Sequence, residues 1–329
     1  MTPDERAWTR LRAATDGFRD RRISAMMRVR NEVEFLEPAV RSIAPLVDEI
    51  VIVDNASTDG SADVIAALGR RFRKRIVTFR YGHTIGRVGA ETWSLAERGQ
   101  RSPRLSSRFY NWCLARCTGP YVLKWDGDMV ALDPLAEALA AWRRSERHVL
   151  VMHGINVHAG RRHAITARSD DREALLGRLA VPGLPRWATS LTFDYPEPRL
   201  FPKLLARYTT RIRWTQELAS PFLTAPLRAR AVETIAAPAY LHLKFCKRDP
   251  VATYTPDLAS VILDNVAVGP RLSRAQAATL RRWGLGPGAG ERQMTTRERR
   301  STTRERRSTT RERRSTTGEQ RSTTRERRV

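Results

Sequence analysis

Two carboxylates separated by one glycine close the apolar run Tyr121-Val-Leu-Lys-Trp125, giving Asp126-Gly127-Asp128. In an extended segment, residues two apart face the same side. Both carboxylates can then address one hard cation, and Gly127 admits a phosphate or a ligand backbone. A divalent ion held there would bridge a diphosphate and offset the charge of a departing nucleotide. Isolated Asp-x-Asp triplets often sit in solvated turns, and it is the position at the end of a strand-like run that favours chemistry here. Asp54 ends a second run, Glu49-Ile-Val-Ile-Val-Asp54, and opens the loop Asn55 to Gly60. Open α/β sheets bind ligands at the carboxyl ends of their strands, so Asp54 is well placed to accept hydrogen bonds from a nucleoside. Ser57, Thr58 and Asp59 read instead as capping residues before the next helix.

Those carboxylates need a sheet behind them, and the apolar periodicity supplies one. Strands are predicted at Ile23–Val29, Glu49–Asp54, Ile76–Phe79 and Tyr121–Trp125. Helices are predicted at Phe35 to Val47, Ser61 to Phe72 and Ser107 to Cys117, and from Asp133-Pro134 with Leu135, Leu139 and Trp142 inward. Strand and helix in alternation imply a parallel sheet. Tyr81 to Arg104 reads as a Gly- and Arg-rich loop, and beyond Val149–Met152 the chain becomes Pro-rich and reads as the acceptor side. The predicted organisation is an N-terminal extension (1–22), a catalytic domain (23–265) with a donor-binding half (23–135) and an acceptor half (136–265), a linker (266–293) and a basic tail (294–329). In the tail the unit Ser-Thr-Thr-Arg-Glu-Arg-Arg recurs every seven residues. It contains no apolar residue for a coiled-coil seam, so the tail is predicted disordered.

The net charge of +24 over 329 residues would suit nucleic acid or an anionic membrane. The tail alone, with 13 Arg against 5 Glu, carries a third of it. No nucleic-acid-binding module is recognisable, and no specific nucleic acid is expected as a partner. Three cysteines, Cys113, Cys117 and Cys246, fit neither a disulfide framework nor a zinc site. No run approaches the roughly 18–20 apolar residues of a membrane span. The expectation is a cytoplasmic protein with peripheral contact at the inner face of the membrane.

Arg30-Asn31-Glu32, then Val47 to Gly60 with Asp54-Asn-Ala-Ser57-Thr58-Asp59, then Trp125-Asp126-Gly127-Asp128 together resemble glycosyltransferase family 2. Weaker resemblance continues through Glu197-Pro-Arg-Leu-Phe201, Trp214-Thr-Gln-Glu217 and Tyr240-Leu-His-Leu-Lys244; where members often have His before the acidic residue, this chain has Gln216. The resemblance implies a GT-A fold: α/β, with a Rossmann-like, mostly parallel sheet flanked by helices. It also implies an inverting, nucleotide-sugar-dependent enzyme using UDP-, GDP- or dTDP-linked donors with Mn²⁺ or Mg²⁺. Asp54 would contact the base or ribose, Asp126 the ribose and metal shell, and Asp128 the metal. Asn31 and Glu32 would lie beside the nucleoside.

An inverting transfer needs a carboxylate on the acceptor side to take the hydroxyl proton. Asp194, Glu197, Glu217 and Glu233 are available there. Glu217 is preferred because Trp214 precedes it and a small, Pro-bounded segment follows; Asp194 is the alternative. His242 and Lys244, two apart on one strand face, are candidates for a metal ligand and a phosphate contact, with a structural role as the other reading. His153, His158 and His163 recur every five residues, a spacing that suits neither a helix face nor a strand face. The predicted activity is sugar transfer from a nucleotide-sugar donor to a saccharide or lipid-linked acceptor. A sugar nucleotidyltransferase is the alternative enzyme, but its first strand normally leads into a Gly-rich basic loop, and Met27-Arg-Val-Arg-Asn31 is not Gly-rich. A basic nucleic-acid-binding protein is the alternative outside enzymes.

Overall fold

Residues Ile23–Val29 form strand β1, whose pleat sorts side chains onto two faces, as a period of two requires. Ala25, Met27 and Val29 enter one apolar cluster, and Met26 enters the other. The computed structural model describes residues 9, 20–73, 75–88, 90–97, 101–167, 197–203, 206–210, 216–219, 231–264 and 266–287. In chain order β1 is followed by α1 (Leu36–Ile43), β2 (Glu49–Asp54), α2 (Ser61–Arg71), β3 (Ile76–Arg80), α3 (Ala90–Glu97), α4 (Ser106–Arg116) and β4 (Tyr121–Asp126). Next come β5 (Met129–Ala131), α5 (Asp133–Trp142), β6 (Val149–Met152), β7 (Gly154–Asn156), β8 (His163–Ala167), β9 (Glu197–Pro202), β10 (Arg207–Thr210) and β11 (Gln216–Ala219). The remainder is β12 (Val232–Thr234), β13 (Tyr240–His242), α6 (Pro256–Asp264), β14 (Val266–Arg271) and α7 (Arg274–Arg282).

Seven of these strands make one sheet in the order β12-β6-β9-β4-β1-β2-β3. Its neighbours β4, β1, β2 and β3 are all parallel, β12 is parallel to β6, and β9 runs antiparallel between β4 and β6. Helices cover both faces, as the largely apolar and buried central strands demand. Leu36, Val40 and Ile43 of α1, Ile65 and Leu68 of α2, and Leu135, Leu139 and Trp142 of α5 pack with Ile50, Ile52, Leu123 and Trp125. On the opposite face Phe109, Cys113 and Leu114 of α4 meet Val51, Val53 and Val122. The chain is therefore an α/β protein with a mostly parallel sheet flanked by helices, and its buried cysteines are core residues.

Two segments differ from expectation. Part of 81–104 is α3, and the stretch before it is fixed from a distance: Val88 N donates to Thr253 O at 2.8 Å, and Thr255 N donates back to Val88 O at 2.8 Å. Residues 266–271, expected as the start of a linker, form β14 antiparallel to β8. Val266 and Val268 suit a strand, and the register shift between Val268 and Arg271 absorbs Pro270. The chain divides into compact units 1–276 and 277–329; in the second, the described residues complete α7 and turn at Gly284, whose φ of 70° suits glycine. Among the described residues no helix is long and apolar enough to cross a membrane.

One buried group makes the core sensitive to acid. His148 is 0% exposed, with Nδ1 hydrogen-bonded to the Tyr121 hydroxyl at 2.7 Å. Burial, with help from Arg21, pushes its imidazole down to about 3. A depressed value means that the contribution to stability is complete above the unfolded value near 6.5 and is lost as pH falls from there toward 3. Between pH 7 and 5 the expected loss is about 2 kcal/mol. Denaturant unfolding at both pH values should show that loss in the wild type and not in His148→Gln. Equal pH dependence in the two proteins would remove His148 as its source.

Candidate functional site

The chain leaves β1 to one side, through β2 and β3, and returns on the other side as β4. Between the carboxyl ends of β1 and β4 lies the switch point where open α/β sheets bind ligands. The register places Asp54 beside Val29 and Asp126 beside Arg28 on this rim. Asp54 is buried, and one of its oxygens accepts the Ser57 amide at 3.1 Å. Asn31 and Ala56 both have positive φ, 57° and 55°, a conformation that costs energy in any residue with a Cβ and recurs at ligand-binding loops. The two loops are laced together. Asn31 N donates to Ser57 Oγ at 3.0 Å and Thr58 N to Asn31 Oδ1 at 2.8 Å, while Glu32 N donates to Ser61 Oγ at 2.7 Å. Asp59 accepts the Ser61 amide at 2.9 Å and the Val33 amide at 3.0 Å, while Gly60, with a φ of 92°, takes the N-cap position of α2 expected for Ser57 to Asp59.

Asp126 and Asp128 meet different partners; β4 ends at Asp126, and Asp128 lies in the turn into β5. Trp125 Nε1 closes that turn on Met129 O at 3.2 Å, and Leu243 N holds Asp128 O at 2.9 Å. Asp126 pairs with Arg28 and, at 3.8 Å, with Arg199 of β9. Burial alone would raise its carboxyl, but Arg28, Lys124 and Arg199 outweigh that and hold it well below the usual range. The Arg28 guanidinium also lies 3.7 Å from the centre of the Tyr110 ring. Asp128 faces His242 Nε2 at 3.3 Å and Lys247 Nζ at 2.5 Å. His242 reaches it because β13 pairs antiparallel with β5, setting His242 opposite Met129.

Lys247 also sits 2.5 Å from Glu32 Oε1. Burial would lower its ammonium, yet Asp128 and Glu32 outweigh burial and raise it. Asp128 is likewise held low against burial, first by Lys247 and then by His242, whereas burial and the neighbouring Asp128 push Glu32 up. The lysine thus bridges the two carboxylates at equal distance. Glu32 Oε2 is buried without a hydrogen-bond partner among the described residues, an acceptor available to a ligand hydroxyl. Close approach here depends on Gly127, since a Cβ at that position would lie 2.9 Å from Glu32 Cγ.

Asn31, Glu32, Asp54, Asp126, Asp128 and His242 therefore converge on one rim. Lys244 does not join them: β13 ends at His242, and a 3₁₀ turn at Lys244–Cys246 directs Lys244 to the Tyr254 hydroxyl and brings Lys247 to the carboxylates instead. Glu217 lies on β11, which pairs antiparallel with β10 outside the central sheet. Asp194 lies outside the described residues. Sequence reasoning missed Arg28, Arg199 and Lys247; Arg28 stands two residues before Arg30-Asn31-Glu32, but its partner Asp126 follows only from the β1–β4 register.

Residues 24–91 match glycosyl transferase family 2. That is the family the motifs resemble, and the matched span holds β1, β2, Asn31, Glu32 and Asp54, with Asp126, Asp128, His242 and Lys247 beyond it. Comparison with curated proteins gave no match. Among solved structures the chain is similar to TarS 1-349 of S. aureus, at 15% identity over 68% of this chain and 60% of that one, with a TM-score of 0.38. The same protein in complex with UDP-GlcNAc gives 15% identity, 71% and 62% coverage and a TM-score of 0.39. The mannosyltransferase PcManGT from Pyrobaculum calidifontis, in complex with GDP-Man and Mn²⁺, gives 20% identity, 40% and 35% coverage and a TM-score of 0.30. The chain thus spans less than two thirds of the length of each of these structures.

The side chains, as arranged, do not fit a divalent ion held by Asp126, Asp128 and His242. Asp126 is matched by two guanidinium groups, and the Asp128 oxygens face His242 and Lys247. Among the described residues, no group of three or more His, Cys, Asp or Glu is placed to hold a metal. Three carboxylates, Glu32, Asp126 and Asp128, already face three cations, Arg28, Arg199 and Lys247.

Proposed function

We propose that this chain is a glycosyltransferase that moves a sugar, with inversion, from a nucleotide-sugar donor to a saccharide or lipid-linked acceptor. The observation that carries the reading is the convergence of Asp54, Glu32, Asp126 and Asp128 at the switch point between β1 and β4, with β1 and β2 inside the family match. On this rim Asp54 and Glu32 accept hydrogen bonds from the nucleoside, and Asn31 keeps the two nucleoside-side loops together. The acceptor hydroxyl attacks the anomeric carbon as the bond to the diphosphate breaks, and Glu217 takes the hydroxyl proton. Negative charge then grows on the leaving diphosphate, and preorganised cations beside it lower the barrier. The resemblance implies Mn²⁺ or Mg²⁺ for that task, but the carboxylates that would hold such an ion are already matched by side-chain cations.

Nucleotide binding tests this reading. In a thermal-shift panel of UDP, GDP, dTDP and their sugars, one nucleotide should stabilise the folded chain, by about 2.7 kcal/mol at a hundredfold excess over Kd. Asp54→Ala should abolish the shift. Stabilisation by duplex DNA and by none of the nucleotides would instead favour the nucleic-acid-binding alternative suggested by the charge.

A further inference from the structure

The position between Glu32 and Asp128 is already filled. The Lys247 ammonium stands 2.5 Å from an oxygen of each, and its side chain is 21% exposed while those of Glu32 and Asp128 are 9% and 4% exposed. An ammonium has three donors. Two are taken by Glu32 Oε1 and Asp128 Oδ2, and the third remains for another oxygen. His242 bears on the same Asp128 carboxylate from its other oxygen. The lysine is carried there by backbone that has little freedom: Leu243 N is bound to Asp128 O at 2.9 Å, and Lys247 N closes the 3₁₀ turn on Lys244 O at 3.3 Å. Inserting a divalent ion would require expelling an ammonium from between two buried carboxylates or crowding a second cation against it.

We infer that Lys247 is the resident cation of this site: it occupies the place between Glu32 and Asp128 that a divalent ion would take, and its third N–H meets the donor's diphosphate. This deepens the glycosyl-transfer reading and rests on it for the identity of the ligand. The position of the cation itself does not depend on that reading. Glu32 and Asp128 then serve as the cradle of a lysine, and the charge of the leaving nucleotide is met by an ammonium flanked by the Arg28 and Arg199 guanidinium groups at Asp126. Nucleotide binding by the wild type is accordingly independent of divalent ions.

Mn²⁺ alone is the first probe, followed through the loss of its free EPR signal. Wild-type protein should leave the signal nearly unchanged. Lys247→Met, which vacates the cradle, should bind one equivalent at least about 100-fold more tightly than the wild type, because two buried carboxylates have lost their counter-charge. Adding Asp128→Asn to that variant should abolish the gain. Should Lys247→Met fail to fold by circular dichroism, Lys247→Met/Glu32→Gln carries the same comparison with one fewer buried charge. UDP and GDP are the second probes, measured by calorimetry. The wild type should bind one of them with affinities within about twofold in EDTA and in Mn²⁺, and the Lys247→Met variant should lose at least about tenfold in EDTA and regain it with Mn²⁺. Tight Mn²⁺ binding by the wild type that is lost in Asp128→Asn would overturn the inference, as would a vacated cradle that gains no Mn²⁺. If neither nucleotide binds the wild type under either condition, the glycosyl-transfer reading fails. The Mn²⁺ comparison still decides what fills the cradle.

Discussion

Arg28→Met is expected to lower the unfolding free energy by about 3 kcal/mol, the lower end of the cost of breaking a buried ion pair. The Arg28 side chain is 7% exposed, pairs with Asp126 across the β1–β4 register and covers the Tyr110 ring. Methionine retains the apolar stem but leaves Asp126 short of its nearest cation. The lower end applies because Arg199 remains 3.8 Å away and the Asp126 side chain is 26% exposed. For a domain of this size the loss corresponds to a fall in Tm of roughly 6–12 °C. Asp126→Asn should cost at least as much, since it deprives two guanidinium groups at once. If the pair is coupled as the geometry requires, the double variant Arg28→Met/Asp126→Asn falls short of the summed single losses by at least about 1 kcal/mol. Additive losses, or a single-variant loss under about 1 kcal/mol, would mean that the pair is solvated and that Asp126 is free to take another partner.

That pair also shows where sequence reading succeeds and where it stops. Short apolar runs placed β1, β2, β3 and β4 to within about a residue; for β1, β2 and β4, burial on both faces leaves little choice of residue type, whereas the edge strand β3 is mostly exposed. The carboxylates Asp54 and Asp126 were legible for the same reason, as the first charges after such runs. Their partners were not. Arg28 reads in sequence as one more arginine among many, and its role appears only when β4 is laid against β1 with Asp126 at its side.

Lys244 and Lys247 make the same point from the other direction. A period of two from His242 selects Lys244, and the selection fails because β13 ends at His242 and a single 3₁₀ turn follows. No Gly or Pro marks that end; it is set by Leu243 N binding Asp128 O, a contact across more than a hundred residues. In the same way, α3 depends on the tie between Val88 and Thr253, and β14 on pairing with β8 past Pro270. Local pattern locates elements that bury themselves on their immediate neighbours. Elements held by distant backbone are invisible to it.

Glu217→Gln is expected to lower turnover by about 10²–10⁴-fold while leaving nucleotide affinity unchanged, the usual contribution of a general base. On the proposed reading the acceptor hydroxyl must lose its proton as its oxygen attacks, and the carboxylates at the β1–β4 rim are already held by cations. The base must therefore come from another element. Glu217 lies on β11, opposite Thr209 of β10. Both strands of that pair pack against α4, which also packs against β1 and β2. Its attachment is specific: Asn111 of α4 donates to Tyr208 O at 2.7 Å and accepts from Tyr208 N at 2.8 Å, and the Tyr110 and Tyr208 rings meet edge to face at 5.1 Å. The helix that carries Tyr110 beneath Arg28 thus also carries the β10–β11 pair, so the strand of the proposed base is tied to β1 and β2 by packing. Glutamine preserves size and hydrogen bonding but cannot take the proton, so kcat should fall and the Kd of the bound nucleotide should not. Normal turnover by Glu217→Gln, with Asp194→Asn inactive and still binding nucleotide, would move the base to Asp194. Normal turnover by both would exclude a carboxylate base from either position.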